Sequence, residues 1–150
     1  MSITIRVQTG DFDVSTEIAA LAREHNHVGA VASFVGLVRA DDGLVAMALE
    51  HYPDMTEREI GRHVEQARSR WPVESVTVVH RVGRLVPGAQ IVLVAVASRN
   101  RAAAFEVCEF LVDYLKTRAP FWKLEERAEA KTWVEARASD DKAAERWRLK

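Results

Sequence analysis

Four basic residues lie at predicted ends of helices and strands, where their side chains are placed to bind anions. Arg39 directly follows an apolar strand segment, and Arg101 opens the longest predicted helix. Lys116 lies in the last turn of that helix, and Lys123 lies three residues beyond Pro120 in the next predicted strand. Arginine binds phosphate through two parallel hydrogen bonds, whereas a partly desolvated lysine with a lowered pKa can transfer protons. The four residues therefore predict an anion-binding cleft and leave open whether it is catalytic.

The corner between Lys116 and Lys123 is what favours a shared site. Pro120 ends the helix and a strand follows, so the chain reverses and both ammonium groups can reach one space. Gly36 lacks a side chain near Arg39, which lets a ligand approach the backbone there. A single cation at the end of an element is more often solvated or paired with the helix dipole. The prediction therefore depends on the cluster and on no single residue.

Other kinds of site find little support. The seven glycines contain no glycine-rich phosphate loop, and the five histidines show no spacing on a helix that suits zinc. Cys108 is the single cysteine, so it cannot form a disulfide within the chain. Its apolar neighbours predict a buried side chain and not a nucleophile. We therefore expect no metal site.

The composition is that of a globular protein. The chain has 150 residues, of which 48% are hydrophobic and 29% charged, and its formal net charge is -1. This balance indicates one domain spanning residues 1–150 and gives no overall attraction to nucleic acid or to a membrane surface. No segment approaches the roughly 20 apolar residues that span a bilayer, and the N-terminus does not resemble a signal peptide. We expect a cytoplasmic protein.

Hydrophobic periodicity predicts an α+β fold with a largely antiparallel sheet, because adjacent strands are easily joined as hairpins. The predicted order is strand, helix, two strands, helix, two strands, helix, two strands and a short helix. Strands are predicted at Ile3 to Gln8, Val28 to Val38, Leu44 to Tyr52, Val76 to Val82, Ile91 to Ala97, Phe121 to Glu126 and Lys131 to Arg137.

Three local predictions concern how these elements begin and pair. The strands Val28 to Val38 and Leu44 to Tyr52 flank an Asp-Asp-Gly turn and are expected to form an antiparallel hairpin. Asp54, followed by Glu57, has the spacing of a capping box at the start of the second helix. Phe105 is expected on the buried face of the longest helix, for which Asn100 is the predicted N-cap.

One segment resembles a known family. Residues 113–123, Asp-Tyr-Leu-Lys-Thr-Arg-Ala-Pro-Phe-Trp-Lys, are similar to the signature of the large, catalytic subunit of molybdopterin synthase, the MoaE family. Further similar blocks occur in the same order, so the resemblance extends from about Phe34 to Trp147. They are Leu49 to Pro53, Met55 to Glu57, His80 to Gly83 and Trp133 to Arg137.

The resemblance implies an α/β-hammerhead-type domain with a small additional antiparallel subdomain. It also implies a sulfurtransferase of molybdenum cofactor biosynthesis. Sulfur would come from a thiocarboxylate on the Gly-Gly C-terminus of a small ubiquitin-like subunit, and it would convert cyclic pyranopterin monophosphate (precursor Z) into the dithiolene of molybdopterin. The implied assembly is a homodimer at the centre of a heterotetramer, with no metal or organic cofactor.

The resemblance also assigns residues. It makes Lys116 and Lys123 the catalytic candidates, and it leaves open which residues reach the pocket from the dimer mate. Many family members have histidine where this chain has Asn100, which caps a helix but cannot titrate near neutral pH. The implied substrate-binding residues are Leu37, Val38, Arg39, Asn100, Arg101, Leu124, Glu125 and Arg137.

Two other functions compete with sulfur transfer. The same cations would serve a non-enzymatic dimeric module that binds a phosphorylated ligand or a protein tail. Nucleic-acid binding is disfavoured, because the charge is balanced and neither a basic helix nor a stacking platform is evident.

Overall fold

Within the described residues, eight strands form two sheets and four helices pack around them. The computed structural model describes residues 2–23, 26–128, 130–134 and 137–148; Glu135 and Ala136, in the last block of the resemblance, lie outside them. No described helix is long and apolar enough to cross a membrane. The elements are β1 (Ser2–Gln8), α1 (Val14–Arg23), β2 (Ala30–Leu37), β3 (Leu44–His51), α2 (Met55–Arg70), β4 (Ser75–Arg81), β5 (Gly83–Leu85), β6 (Gln90–Ser98), α3 (Arg101–Thr117), β7 (Phe121–Arg127), β8 (Ala130–Val134) and α4 (Ala138–Glu145).

The main sheet has the order β1-β4-β6-β2 and carries most of the core. β1 and β4 are parallel, and the other pairs are antiparallel. β4 and β6 are buried along most of their length, and β6 is a nearly continuous apolar run, because α2 and α3 cover one face of the sheet and α1 covers the other. Each fully buried Val or Leu contributes about 1.5–3 kcal/mol. The core side chains with almost no exposure include Ile60, Val64, Val78, Leu93, Val94 and Leu111.

The small sheet has the order β5-β3-β7-β8 and is antiparallel throughout. Its own core is a cluster of Val38, Met47, Leu49 and Leu85. The two sheets confirm the predicted α+β fold with largely antiparallel pairing and an additional small antiparallel unit.

The predicted hairpin between β2 and β3 is wrong. β2 pairs with β6 in the main sheet, whereas β3 pairs with β5 and β7 in the small one. Val38 exchanges backbone hydrogen bonds of 2.8 and 2.9 Å with Gly88 and Ala89, which holds the chain at the end of β2. Asp42 (φ 50°) and Gly43 (φ 73°) then adopt left-handed conformations. The chain therefore enters the second sheet instead of folding back on β2.

The predicted cap at Asp54 is also wrong. Asp54 precedes α2 with φ 68°, and its side chain makes no capping hydrogen bond. The first turn is instead joined to the preceding chain through Thr56, whose hydroxyl donates to the Tyr52 carbonyl at 2.8 Å.

Phe105 lies on the outside of α3 and not on its inner face. Its side chain is 65% exposed. Ala104, Cys108 and Leu111 face the core instead. Their spacing of four and three defines the buried stripe, and Phe105 is one position, about 100° of helix rotation, away from it. Cys108 is buried as predicted, and burial raises the pKa of its thiol to about 11.

Gly29 supplies a stability prediction. A Cβ at this position would lie 2.2 Å from the carbonyl oxygen of Arg99, which is backbone and cannot move aside cheaply. We expect Gly29→Ala to lower the free energy of unfolding by about 1–3 kcal/mol. Gly10→Ala is the matched control, since no atom lies within 4 Å of its added Cβ. Urea unfolding followed by tryptophan fluorescence measures both, and equal stability of the two variants would contradict the prediction.

Candidate active site

A cleft of about 510 Å³ lies where the C-terminal end of α3 meets the segment after β2 and one face of the small sheet. Most of the residues predicted to form a site line this cleft. Those seven are Leu37, Val38, Arg39, Lys116, Lys123, Glu125 and Arg137. The fold therefore brings these residues from four parts of the chain to one concave surface, which is where small-molecule sites usually occur.

Lys116 is placed by the last turn of α3. The cleft walls remove part of the water around its ammonium group, and this desolvation is the main cause of a lowered pKa. Asp140 opposes the shift, whereas the charges of Lys123, Arg137 and Arg39 add to it. The pKa of Lys116 is lowered overall, so its ammonium group releases a proton more readily than that of an ordinary lysine.

Lys123 reaches the cleft through the alternation of β7. Residues two apart in a strand face the same side of a sheet, and Lys123, Glu125 and Arg127 all line the cleft. The Glu125 carboxylate lies 3.8 Å from the Lys123 Nζ and 2.7 Å from an Arg127 nitrogen. This carboxylate partly balances the cations and limits their repulsion.

Leu124 does not line the cleft. The family resemblance had implied a substrate-binding role for this residue. It lies between Lys123 and Glu125 and pairs across β8 with Trp133. Period-two alternation therefore directs its side chain to the opposite face of the small sheet.

Arg39 and Arg137 complete the positive side of the cleft. Arg39 follows β2 and pairs with Asp41 through a 2.9 Å contact, and its side chain remains 62% exposed. Arg137 precedes α4 at the N-cap position. Both guanidinium groups are near enough to Lys116 to lower its pKa. Lys116, Lys123, Arg39 and Arg137 therefore face one space, in which nearby carboxylates balance part of their charge. Those carboxylates are Asp41, Asp42, Glu125 and Asp140.

Asn100 and Arg101 lie at the other end of α3, away from this cleft. Asn100 caps the helix as predicted, accepting a 2.8 Å hydrogen bond from the backbone N–H of Ala103. Arg101 precedes Lys116 by 15 positions, which is about 22 Å along a helix axis. Within one chain, neither Asn100 nor Arg101 lines the cleft that contains Lys116.

The cleft also contains His80, which the sequence reasoning did not select. This residue is 6% exposed, ends the buried part of β4 and lines the cleft floor. It belongs to one of the blocks that resemble the family, and that membership was the available signal. Histidine spacing in the sequence does not indicate this position. Within the described residues, no group of three or more His, Cys, Asp or Glu is arranged for a metal.

The electrostatics of Lys116 can be tested with a matched pair of variants. Asp140→Asn removes a charge that stabilises the ammonium form, so we expect the pKa of Lys116 to fall. Arg39→Gln removes a like charge, so we expect that pKa to rise. Titration of ¹³C-methylated lysines by NMR, with the Lys116 signal assigned from Lys116→Arg, measures both. Shifts in the same direction would contradict the assigned charge environment.

Comparison with known proteins identifies the family. The family model described as MoaE protein matches residues 7–118. A molybdopterin synthase catalytic subunit of Mesorhizobium japonicum is 54% identical over 148 residues, covering 97% of this chain and 93% of the relative.

Solved structures agree. The molybdopterin biosynthesis MoaE protein of Burkholderia ambifaria superposes with a TM-score of 0.84 at 52% identity, covering 97% of each chain. A chain from a complex of subunits 1 and 2 of the molybdopterin-converting factor of Helicobacter pylori shares the fold. Its TM-score is 0.75 at 22% identity, with 89% of this chain and 91% of that chain covered. The family model covers residues 7–118, and the Mesorhizobium japonicum relative covers 97% of the chain at 54% identity. The chain therefore belongs to the MoaE family.

Proposed function

We propose that this chain is the catalytic subunit of a molybdopterin synthase. It transfers sulfur from the C-terminal thiocarboxylate of a small carrier subunit to cyclic pyranopterin monophosphate, forming the dithiolene of molybdopterin. The observation that carries the proposal is the single cleft onto which Lys116, Lys123, Arg39 and Arg137 converge.

The charge of the cleft matches these two reactants. The pterin phosphate and the carrier thiocarboxylate are both anions, and they repel each other unless cations lie between or around them. Arg39 and Arg137 suit the phosphate, because a guanidinium group donates two parallel hydrogen bonds to phosphate oxygens. The two lysines then remain for the thiocarboxylate and for the reacting carbon atoms.

The chemistry requires a carbon–sulfur bond to form on the pterin and another to break on the carrier. As the thiocarboxylate sulfur bonds to a side-chain carbon of the pterin, a carbon–oxygen bond at that carbon breaks, and the oxygen leaves with the phosphate group or as water. The carrier carbonyl thereby becomes a thioester. Water then adds to that carbonyl and the carbon–sulfur bond of the carrier breaks. The carrier leaves as a carboxylate, and the sulfur stays on the pterin as a thiolate. Two such transfers supply the two sulfurs of the dithiolene.

Lys116 and Lys123 have roles in these steps. Lys116 lies near the thiocarboxylate and assists acyl and proton transfer, for which its lowered pKa is suited. Lys123 stabilises developing negative charge or acts as an acid and base, with Glu125 holding its ammonium group in place. Asn100 cannot titrate near neutral pH, so proton transfer falls to other groups in the cleft.

The separation of the functional groups supports a dimeric assembly. Two copies of this chain form the central homodimer, and one small ubiquitin-like subunit with a Gly-Gly C-terminus binds each copy. Because Arg101 lies about 22 Å from Lys116 along α3, Asn100 and Arg101 act on substrate in the cleft of the dimer mate. We place the complex in the cytoplasm.

Reconstitution tests the proposed function. The purified protein, mixed with a thiocarboxylated carrier subunit and cyclic pyranopterin monophosphate, should yield molybdopterin, detected after oxidation to its fluorescent derivative. A carrier with a C-terminal carboxylate is the control and should give no product. Binding of both reactants without product would contradict the proposal and favour a non-enzymatic binding module.

A further inference from the structure

His80 lies where the main sheet meets the cleft. On β4, alternation places it on the same face as Val76 and Val78, the face that α2 and α3 cover. Its neighbours in the sheet are Val7 of β1 and Val92 of β6. A polar side chain that is 6% exposed in such apolar surroundings needs hydrogen-bond partners or a function.

Two contacts fix the orientation of the imidazole ring. Its Nδ1 lies 2.8 Å from the carbonyl oxygen of Arg81, and its plane stacks on Phe121 with 3.8 Å between centroids and 17° between planes. A carbonyl oxygen can only accept a hydrogen bond, so Nδ1 carries the proton and donates it. In the neutral ring, Nε2 is then an acceptor.

The ring is neutral at physiological pH. Burial is the main cause that lowers the pKa of His80 to about 4, and the hydrogen bond to Arg81 opposes the shift. Lys116 from α3 and His51 from β3 lower it further. Lys123 on β7 also lines the same cleft, whereas the β1 and β6 neighbours of His80 are uncharged valines.

The Nε2 atom is available to the cleft. Among the described residues it has no hydrogen-bond partner. It is not fully enclosed by protein either. Among the described residues, the enclosed side-chain atoms that lack a hydrogen-bond partner are Nδ1 of His51 and the hydroxyl oxygen of Tyr114, and Nε2 of His80 is not one of them. A fixed, uncharged acceptor therefore opens toward a cleft whose walls carry ammonium and guanidinium donors.

We propose that His80 is a positioning residue that accepts a hydrogen bond at Nε2 from the Lys116 ammonium group and directs it at the bound thiocarboxylate. This role rests on the proposed sulfur transfer. His80 exchanges no proton with the substrate. It holds the Lys116 side chain, which ends a flexible four-carbon stem, in the orientation that the reaction requires.

A pair of amide variants separates the two nitrogens. In His80→Asn the amide N–H can still donate to Arg81, but no acceptor remains at the Nε2 position. In His80→Gln the longer side chain keeps an acceptor there. We expect His80→Asn to lower kcat by about 10- to 100-fold with KM little changed, because misplacement of a reacting group costs up to about 10²-fold. His80→Gln should recover most of that loss. The pKa of Lys116 should fall in His80→Asn alone, so the alkaline limb of the pH profile of kcat should shift to lower pH in that variant only.

Equal kcat in the wild type and His80→Asn would overturn the proposal, as would equal losses in the two folded variants. Melting temperatures identify any variant that fails to fold. The wild type itself supplies a second measurement that needs neither substrate nor variant. ¹⁵N NMR of histidine should show His80 protonated at Nδ1 and unprotonated at Nε2 at neutral pH, and the opposite tautomer or a charged ring would overturn the proposal.

Failure of the proposed function is distinguishable from failure of this inference. If the wild type makes no molybdopterin, the sulfur-transfer proposal fails whatever His80 does. NMR titration of the methylated Lys116 amine still reports on the proposed hydrogen bond: we expect a lower pKa of Lys116 in His80→Asn than in His80→Gln. Identical pKa values of Lys116 in the two variants would overturn the proposed hydrogen bond.

Discussion

Lys116→Ala should lower kcat for molybdopterin formation by about 10²–10⁴-fold, the range typical for removing a positioned proton-transfer group. The ammonium group lies among Lys123, Arg39 and Arg137, and it is the one whose desolvation and like-charged neighbours lower its pKa. The fold should survive, because the side chain is exposed at the cleft and lies in the last turn of α3. Single-turnover kinetics with thiocarboxylated carrier, together with the melting temperature, measures both expectations.

Two companion variants make this result interpretable. Lys131→Ala removes an exposed lysine of the small sheet that does not line the cleft, and we expect activity close to that of the wild type. Lys116→Arg keeps the positive charge but cannot release a proton at any working pH. A large loss in this variant indicates proton transfer, whereas near-normal activity indicates electrostatic stabilisation. Wild-type kcat in folded Lys116→Ala would remove Lys116 from the mechanism.

Mixing Arg101→Ala and Lys116→Ala subunits should restore activity that neither variant has alone. Arg101 and Lys116 lie about 22 Å apart along α3, so the proposed dimer supplies each cleft with Lys116 from one copy and Arg101 from the other. In a mixed dimer, one cleft then carries both substitutions and the other carries neither. Random exchange makes about half of the dimers mixed, so about a quarter of the wild-type activity should return.

A second mixture serves as the matched control. Lys116 and Lys123 line the cleft of the same chain, so each cleft of a mixed Lys116→Ala and Lys123→Ala dimer keeps one defect. We expect no recovery in this mixture. The activity of each mixture is measured after subunit exchange and compared with the unmixed variants. Recovery in the control, or none in the Arg101 mixture, would contradict the shared-cleft arrangement.

The amino-acid sequence by itself determined the element types and the cation-rich corner. Strand and helix periods are local properties, and the Pro120 reversal between Lys116 and Lys123 can be recognised from adjacent residues. Asn100 as an N-cap depends on a contact three residues away, to the N–H of Ala103, and it was predicted correctly for the same reason. The family resemblance supplied a reaction, which spacing alone did not.

Only the tertiary structure decided which strands pair and which side chains meet. β2 and β3 are adjacent in sequence, yet the left-handed residues Asp42 and Gly43 send them into different sheets. His80 approaches Phe121 from 41 positions away in the chain, and no local pattern encodes that contact. The two ends of α3 face different surroundings because a helix is rigid and its length is fixed by its rise per residue. The sequence grouped Lys116 and Arg101 in one predicted anion-binding cleft, whereas the structure places them at opposite ends of α3.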